Sequence, residues 1–105
     1  MSIKGEVVKA LLVGNADKVQ SGFVIGESVL IRTLTYHSTG RVVAVSGDFV
    51  VLEDAAWIAD TGRFTQAIND GALSEVEPVN GPVRVKLSNI VDVFHWAHPL
   101  PREQK

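Results

Sequence analysis

The chain has 105 residues, of which 46% are hydrophobic and 21% charged, with a formal net charge of −2 and no cysteine. That length fits one domain, buries somewhat over ~60% of the surface of the unfolded chain, and so leaves a small core. The composition excludes a disordered polymer, the missing thiols exclude a disulfide framework and thiolate zinc ligation, and the acidic balance argues against indiscriminate polyanion binding, which rests mainly on Lys and Arg.

Oligomerisation remains as the way to reinforce such a core. The opening Met1-Ser2-Ile3-Lys4-Gly5-Glu6 has no basic start leading into a long apolar run. No later stretch approaches the ~20 apolar residues of a membrane span, so the expected location is the cytoplasm, with no membrane partner.

Along the chain, Ile3, Val7, Val8, Leu11 and Leu12 recur at helical spacing and Gly14-Asn15 supplies a stop, which predicts an N-terminal helix over 1–14. The β-branched content of this stretch also permits a strand. Residues 15–26 read as a connection punctuated by Gly22 and Gly26. Val29-Leu30-Ile31-Arg32-Thr33-Leu34-Thr35-Tyr36 is rich in β-branched and aromatic residues and predicts a first strand. Ser38-Thr39-Gly40 reads as a tight turn, Arg41 to Val45 as a second strand, Ser46-Gly47-Asp48 as another turn, and Phe49-Val50-Val51-Leu52-Glu53 as a third strand. Short turns between neighbouring strands imply an antiparallel meander.

A long excursion over 54–82 follows, in which Asp60-Thr61 can cap a short helix that turns Phe64, Ala67 and Ile68 inward and ends at Asn69-Asp70-Gly71. Val83, Val85 and Leu87 then alternate with Arg84 and Lys86, the pattern of a half-exposed fourth strand. Ser88-Asn89 turns the chain into a fifth strand, Ile90-Val91-Asp92-Val93-Phe94-His95-Trp96, and His98-Pro99-Leu100-Pro101 is expected to end ordered structure in a polar tail over 97–105. The predicted fold is a single, mainly β domain. It consists of the N-terminal helix plus a five-stranded, bent, antiparallel small barrel of SH3-like type over 27–96, with the helical excursion between strands three and four. Strands left unpaired at the seam of such a barrel expose backbone donors and acceptors, and assembly by edge pairing covers them.

Two segments resemble the motifs of the Sm-like family. Gly40-Arg41-Val42-Val43-Ala44-Val45, the turn Ser46-Gly47-Asp48-Phe49 and Val50-Val51-Leu52-Glu53-Asp54-Ala55 are similar to the first motif, a Gly-x-hydrophobic run, a turn and a hydrophobic triplet before an acidic residue. Lys86-Leu87-Ser88-Asn89-Ile90-Val91-Asp92-Val93 is similar to the second, Arg-Gly-x-Asn followed by alternating apolar residues. The resemblance implies a homo-oligomeric ring of five to seven subunits, formed by pairing the fourth strand of one copy with the fifth of the next, and single-stranded RNA held by two loops. It assigns Asp48 and Phe49 in the first loop and Lys86, Ser88 and Asn89 in the second to nucleic-acid binding. The sequence departs from the pattern in a shorter first loop without the base-reading Asn, in Leu87 where the motif has Gly, and in the long excursion between the motifs.

From residue chemistry alone, Phe49 offers a ring to stack on a base, Lys86 a cation for phosphate and Asn89 an amide for base edges. The plainer reading of the same three is a core strand residue, a solvated strand face and a turn former. Arg32, Arg41 and Arg84 read as a pore lining or, more simply, as surface. His95 and His98 stand three apart and His37 lies near a turn, but the spacing matches no zinc or iron site, so no metal and no cofactor is expected. Trp57 and Trp96 read as packing or interface anchors.

No nucleophile with a base, carboxylate pair in a recognisable frame, or glycine-rich phosphate loop is present. Glu53 and Asp54, as strand neighbours, are expected on opposite faces. The expectation is therefore a binding protein and not an enzyme. A second reading keeps the barrel and makes it a structural adaptor, as in a phage-like assembly, with the excursion as its partner surface.

Overall fold

A β-branched stretch stays extended until something forces it to turn, and in this chain the polar residues of the first hairpin do not. The computed structural model describes residues 19–105. The predicted N-terminal helix over 1–14 lies outside the described residues.

A small hairpin, β1 (Val19–Gln20) and β2 (Phe23–Val24), comes first, within the stretch expected to be a plain connection. It is followed by β3 (Ser28–Thr33), β4 (His37–Ser46) and β5 (Phe49–Asp60). Helix α1 (Phe64–Asp70), β6 (Glu75–Pro78), β7 (Val83–Lys86), a single 3-10 turn at Leu87–Asn89 and β8 (Ile90–His95) complete the order. The main sheet is antiparallel in the order β6-β5-β4-β3-β8, with β7 also pairing β5. Where five strands were predicted, six form this sheet, because β6 arises within the stretch expected to be an excursion.

The turn predicted at Ser38-Thr39-Gly40 is strand: Ser38, Thr39 and Gly40 lie opposite Ile31, Leu30 and Val29. The hairpin turns earlier, at residues 34–36, where the Thr33 hydroxyl donates to the Tyr36 carbonyl at 2.5 Å and accepts from the Tyr36 N–H at 3.2 Å. A threonine side chain that bonds the backbone locally makes a turn without glycine. Gly40 serves close approach instead, since a Cβ there would stand 2.9 Å from Leu52 Cβ.

The excursion is also shorter than predicted, covering 61–74, because β5 runs on to Asp60 through a bulge. Asp54 takes the left-handed conformation at φ 50°. The inserted residue reverses the phase of the pleat. Before it, Val50 and Leu52 enter one core; after it, Ala56 and Ile58 enter another. The first core, inside the barrel, joins these to Val29, Ile31, Val42, Ala55 and Val85 under Phe23. The second, on the opposite face, packs Leu30, Val76 and Trp96 beneath Ala67 of α1. The bulge also overturns the expected separation of Glu53 and Asp54, because both carboxylates reach Arg41, at 3.3 Å and 2.5 Å.

Helix α1 turns Phe64, Ala67 and Ile68 inward as predicted. Its start differs: the N-cap position is Arg63, with no side-chain cap, and Asp60 instead accepts the Gly62 N–H at 2.7 Å in the preceding turn. Its end is a left-handed Gly71 at φ 73° whose N–H returns to the Ala67 carbonyl.

The expected polar tail is ordered, and it covers the second core. Leu100 packs there, the Trp96 indole N–H donates to the Pro99 carbonyl at 3.2 Å, and the His98 Nε2 donates to the Ile68 carbonyl at 2.7 Å. Arg102 donates to the carbonyls of Ala55 at 2.7 Å and Val79 at 3.1 Å. These bonds from the Trp96, His98 and Arg102 side chains to backbone carbonyls outweigh the polar composition that made this segment read as loose.

Candidate nucleic-acid interface

The two loops singled out in the sequence meet. Phe49 begins β5 directly opposite Lys86, the last residue of β7. Residues directly opposite in an antiparallel pair share a face, so the ring and the ammonium project to the same side, with Arg84 two residues back on that side. The Leu87 N–H donates to the Asp48 carbonyl at 2.7 Å, which ties the first loop to the 3-10 turn of the second. That turn places Asn89 at the rim of a cleft of about 280 Å³.

Phe49, Lys86 and Asn89 line this cleft together, while Asp48 and Ser88 do not. Asp48 acts through its backbone carbonyl, and Ser88 is exposed beside the cleft. The opposite wall is the tip of the β3–β4 hairpin, with Leu34 and Tyr36. Sequence reasoning missed this wall because it ran the first strand through Tyr36. Leu34 is 79% exposed there, an apolar residue that no strand face buries.

Of the three arginines considered, the structure separates one. The Arg32 guanidinium bonds Asp92 across β3–β8 and lies over the Phe64 and Phe94 rings, 4.7 Å and 5.4 Å from their centroids. The hydrogen bond to Arg32 holds the Asp92 carboxyl below its ordinary range, and the same bond raises Arg32. Arg41 does the same for Asp54. Among the described residues, Arg84 and Lys86 take part in no ion pair, and both face the cleft.

His95 and His98 are used structurally, while His37 Nδ1 is buried with no partner among the described residues. His95 Nδ1 lies 3.0 Å from a Glu27 carboxylate oxygen, and His98 is spent on α1. Among the described residues no three His, Cys, Asp or Glu side chains gather as a metal would need. Trp96 is buried, whereas Trp57 is 43% exposed and meets Tyr36 edge to face at a centroid distance of 5.8 Å.

Both strands bordering this region have an open edge. The bond from Leu87 to Asp48 sets the phase of the β5–β7 ladder, so Val85 and Val83 bond inward and the N–H and C=O of Arg84 and Lys86 point outward. On β8, the Trp96 N–H donates to the Ser28 carbonyl at 2.9 Å, so Phe94 and Asp92 bond inward and Val93 points outward, while the register shift beyond Arg32 breaks the alternation at Val91. Neither edge is paired among the described residues. The side chains of Val91 and Val93 are 57% and 39% exposed.

No family model matches the chain, and no curated protein matches it. The chain is similar to solved archaeal Sm proteins. A heptameric archaeal Sm protein, described for its implications for the eukaryotic snRNP core, shares 22% identity over 68% of this chain and 87% of its own, with a TM-score of 0.46. The SmAP1 heptamer of P. aerophilum shares 18% identity over 90% of this chain and 93% of its own, with a TM-score of 0.48. Both are members of the family that the two sequence motifs resemble.

Proposed function

We propose that this protein is an Sm-like subunit that assembles with copies of itself into a closed ring and binds single-stranded nucleic acid, RNA foremost, beside the β5–β7 loops. The observation that carries the reading is the pair of open, mutually complementary edges. The outward backbone groups of Arg84 and Lys86 of one copy can pair in antiparallel register with the β8 edge of the next around Val93, which also covers that exposed valine. Unpaired edges of this kind are liabilities unless a partner strand fills them, and because the β7 and β8 edges differ, the contact is heterologous and closes into a ring when its rotation permits.

The binding reading draws on two cations with no ion-pair partner among the described residues, an exposed ring and an amide converging on one cleft, in a protein whose overall charge is acidic. Nucleic acid is then held locally and not by bulk charge. Native mass spectrometry at low and physiological salt tests the assembly: five to seven subunits are expected, and a stable monomer overturns the ring. Titration of labelled oligouridylate against the Lys86→Ala, Asn89→Ala double variant tests the site. Binding is expected to be lost with assembly intact, and unchanged affinity overturns the assignment.

A further inference from the structure

The outer edge of β6 differs from that of β7 in being closed. The backbone groups of Val76 point away from β5, and they are taken by Lys105, whose N–H donates to the Val76 carbonyl at 2.9 Å while the Val76 N–H donates to its carbonyl at 3.1 Å. Exchange of both bonds between two residues is the hydrogen-bonded pair of an antiparallel ladder, so the tail acts there as a further strand. Side chains fix it in place. Besides Arg102 on the carbonyls of Ala55 and Val79, the Lys105 ammonium reaches the Leu73 carbonyl at 2.8 Å, and the Gln104 amide reaches Glu77 at 3.2 Å. The next outward position on β6 is Pro78, which has no N–H to offer.

β6 and β7 lie on one line along β5, opposite its residues 60–56 and 52–49 respectively. An incoming strand could in principle add to either half. We propose that residues 102–105 form an edge cover that occupies a strand-acceptor site on β6 in cis and so confines strand addition by a second copy of this chain to β7. The confinement to β7 rests on the assembly proposed above, whereas the closure of β6 does not.

With the cover removed, Val76 presents a free donor and acceptor beside Leu73, and the acceptor fits an extended segment carrying Arg and Lys at the spacing of Arg102 and Lys105. The test compares the full chain with a chain ending at Pro101 and with an Arg102→Ala, Lys105→Pro variant that keeps Leu100 and the Trp96 contact. Native mass spectrometry reads assembly and circular dichroism reads folding. The full chain is expected to give one discrete species. The shortened chain is expected to give a polydisperse set of at least double its mean mass, returned to the discrete species by adding a synthetic peptide of residues 97–105. The point variant is expected to shift in the same direction.

A folded, shortened chain with the mass distribution of the full chain and no affinity for the peptide overturns the proposal. Unfolding of both variants also overturns it, because the segment is then core and not cover. A monomeric full chain sinks the ring alone, since the shortened chain must still gain self-association and bind the peptide.

Discussion

Gly40 of β4 lies against Leu52 of β5 so closely that a Cβ on the glycine would stand 2.9 Å from Leu52 Cβ and 3.3 Å from Ala55 Cβ. Both neighbours are fully buried, and a Cβ is the stiff base of a side chain, so neither can swing aside. The sheet bends here: the β4–β5 register slips between Thr39 and Arg41, just where Asp54 bulges. Gly40→Ala is therefore expected to destabilise the fold by about 1–3 kcal/mol, the ordinary cost of overpacking a core. The shift in the urea midpoint checks this, with an unchanged slope expected. A neutral effect would mean that the strands separate at no cost, and the argument for this bend would fail.

The proposed subunit contact depends on outward backbone groups, which allows it to be attacked without touching the subunit's own ladder. Val93 bonds outward, so Val93→Pro removes an intersubunit donor while the bonds of Asp92 and Phe94 to β3 remain. The expected outcome is a folded monomer with the far-ultraviolet circular dichroism of the parent. Asp92→Pro, which removes an inward donor, is expected to lower the unfolding temperature as well. Retention of the assembled mass by Val93→Pro overturns the β7–β8 pairing while leaving assembly by another surface open to mapping.

Much of this architecture is legible in the residues, and the misses have identifiable physical causes. The alternation of Val83 and Val85 with Arg84 and Lys86 reports a half-exposed strand directly, and the structure buries Val85 while exposing both cations. The small polar residues Ser38, Thr39 and Gly40 read as a turn because local propensity favours one. They are strand because Gly40 is required by Leu52 on the facing strand, a contact that pattern cannot show.

Asp54 marks no break in the sequence, yet its bulge moves Ala56 and Ile58 into a second core, and β5 runs for 12 residues, more than twice the stretch expected. The tail was unreadable for a related reason, since Arg102 and Lys105 bond carbonyls rather than carboxylates, and charge pattern carries no trace of that. In the candidate cleft, Phe49, Lys86 and Asn89 stand out in the sequence because each has chemistry of its own. Tyr36 and Leu34 were missed because their role depends on where the hairpin turns.

The cleft makes a quantitative prediction in salt. If Arg84 and Lys86 each neutralise one phosphate, the slope of log affinity against log salt falls in magnitude by roughly 0.7 for each cation removed, the value for single strands. Arg84→Ala and Lys86→Ala are expected to show this separately and, in combination, about twice over. Phe49→Ala is expected to weaken binding by about 1–3 kcal/mol through lost stacking, with the slope unchanged. Fluorescence anisotropy with labelled oligouridylate at a series of salt concentrations separates the two. A Phe49 variant that changes the slope, or cation variants that do not, would mean that the cleft is not where the strand lies.

The ion pair between Arg32 and Asp92 fixes the expected response to acid. Asp92 is held below its ordinary value of 3.8 by the hydrogen bond from Arg32, and burial opposes this only in part. A carboxylate depressed in the folded state contributes stability that is complete above its unfolded value and is lost as the pH falls through the folded one. The contribution of this pair to stability is therefore expected to hold constant down to about pH 5, a little above the unfolded range of carboxylates, and to decline below it.

Asp92→Asn is expected to lower stability at neutral pH and to flatten that decline, because the arginine then has no carboxylate to lose. Asp54→Asn keeps a residue tolerant of the left-handed conformation, and its carboxylate is more exposed, at 52% against 33% for Asp92, so the flattening should be smaller. Urea unfolding between pH 2.5 and 7 measures both. Equal flattening by the two variants would show that solvent screens the Arg32 pair as fully as the Arg41 pair, and that the Phe64 and Phe94 rings around Arg32 add nothing to it.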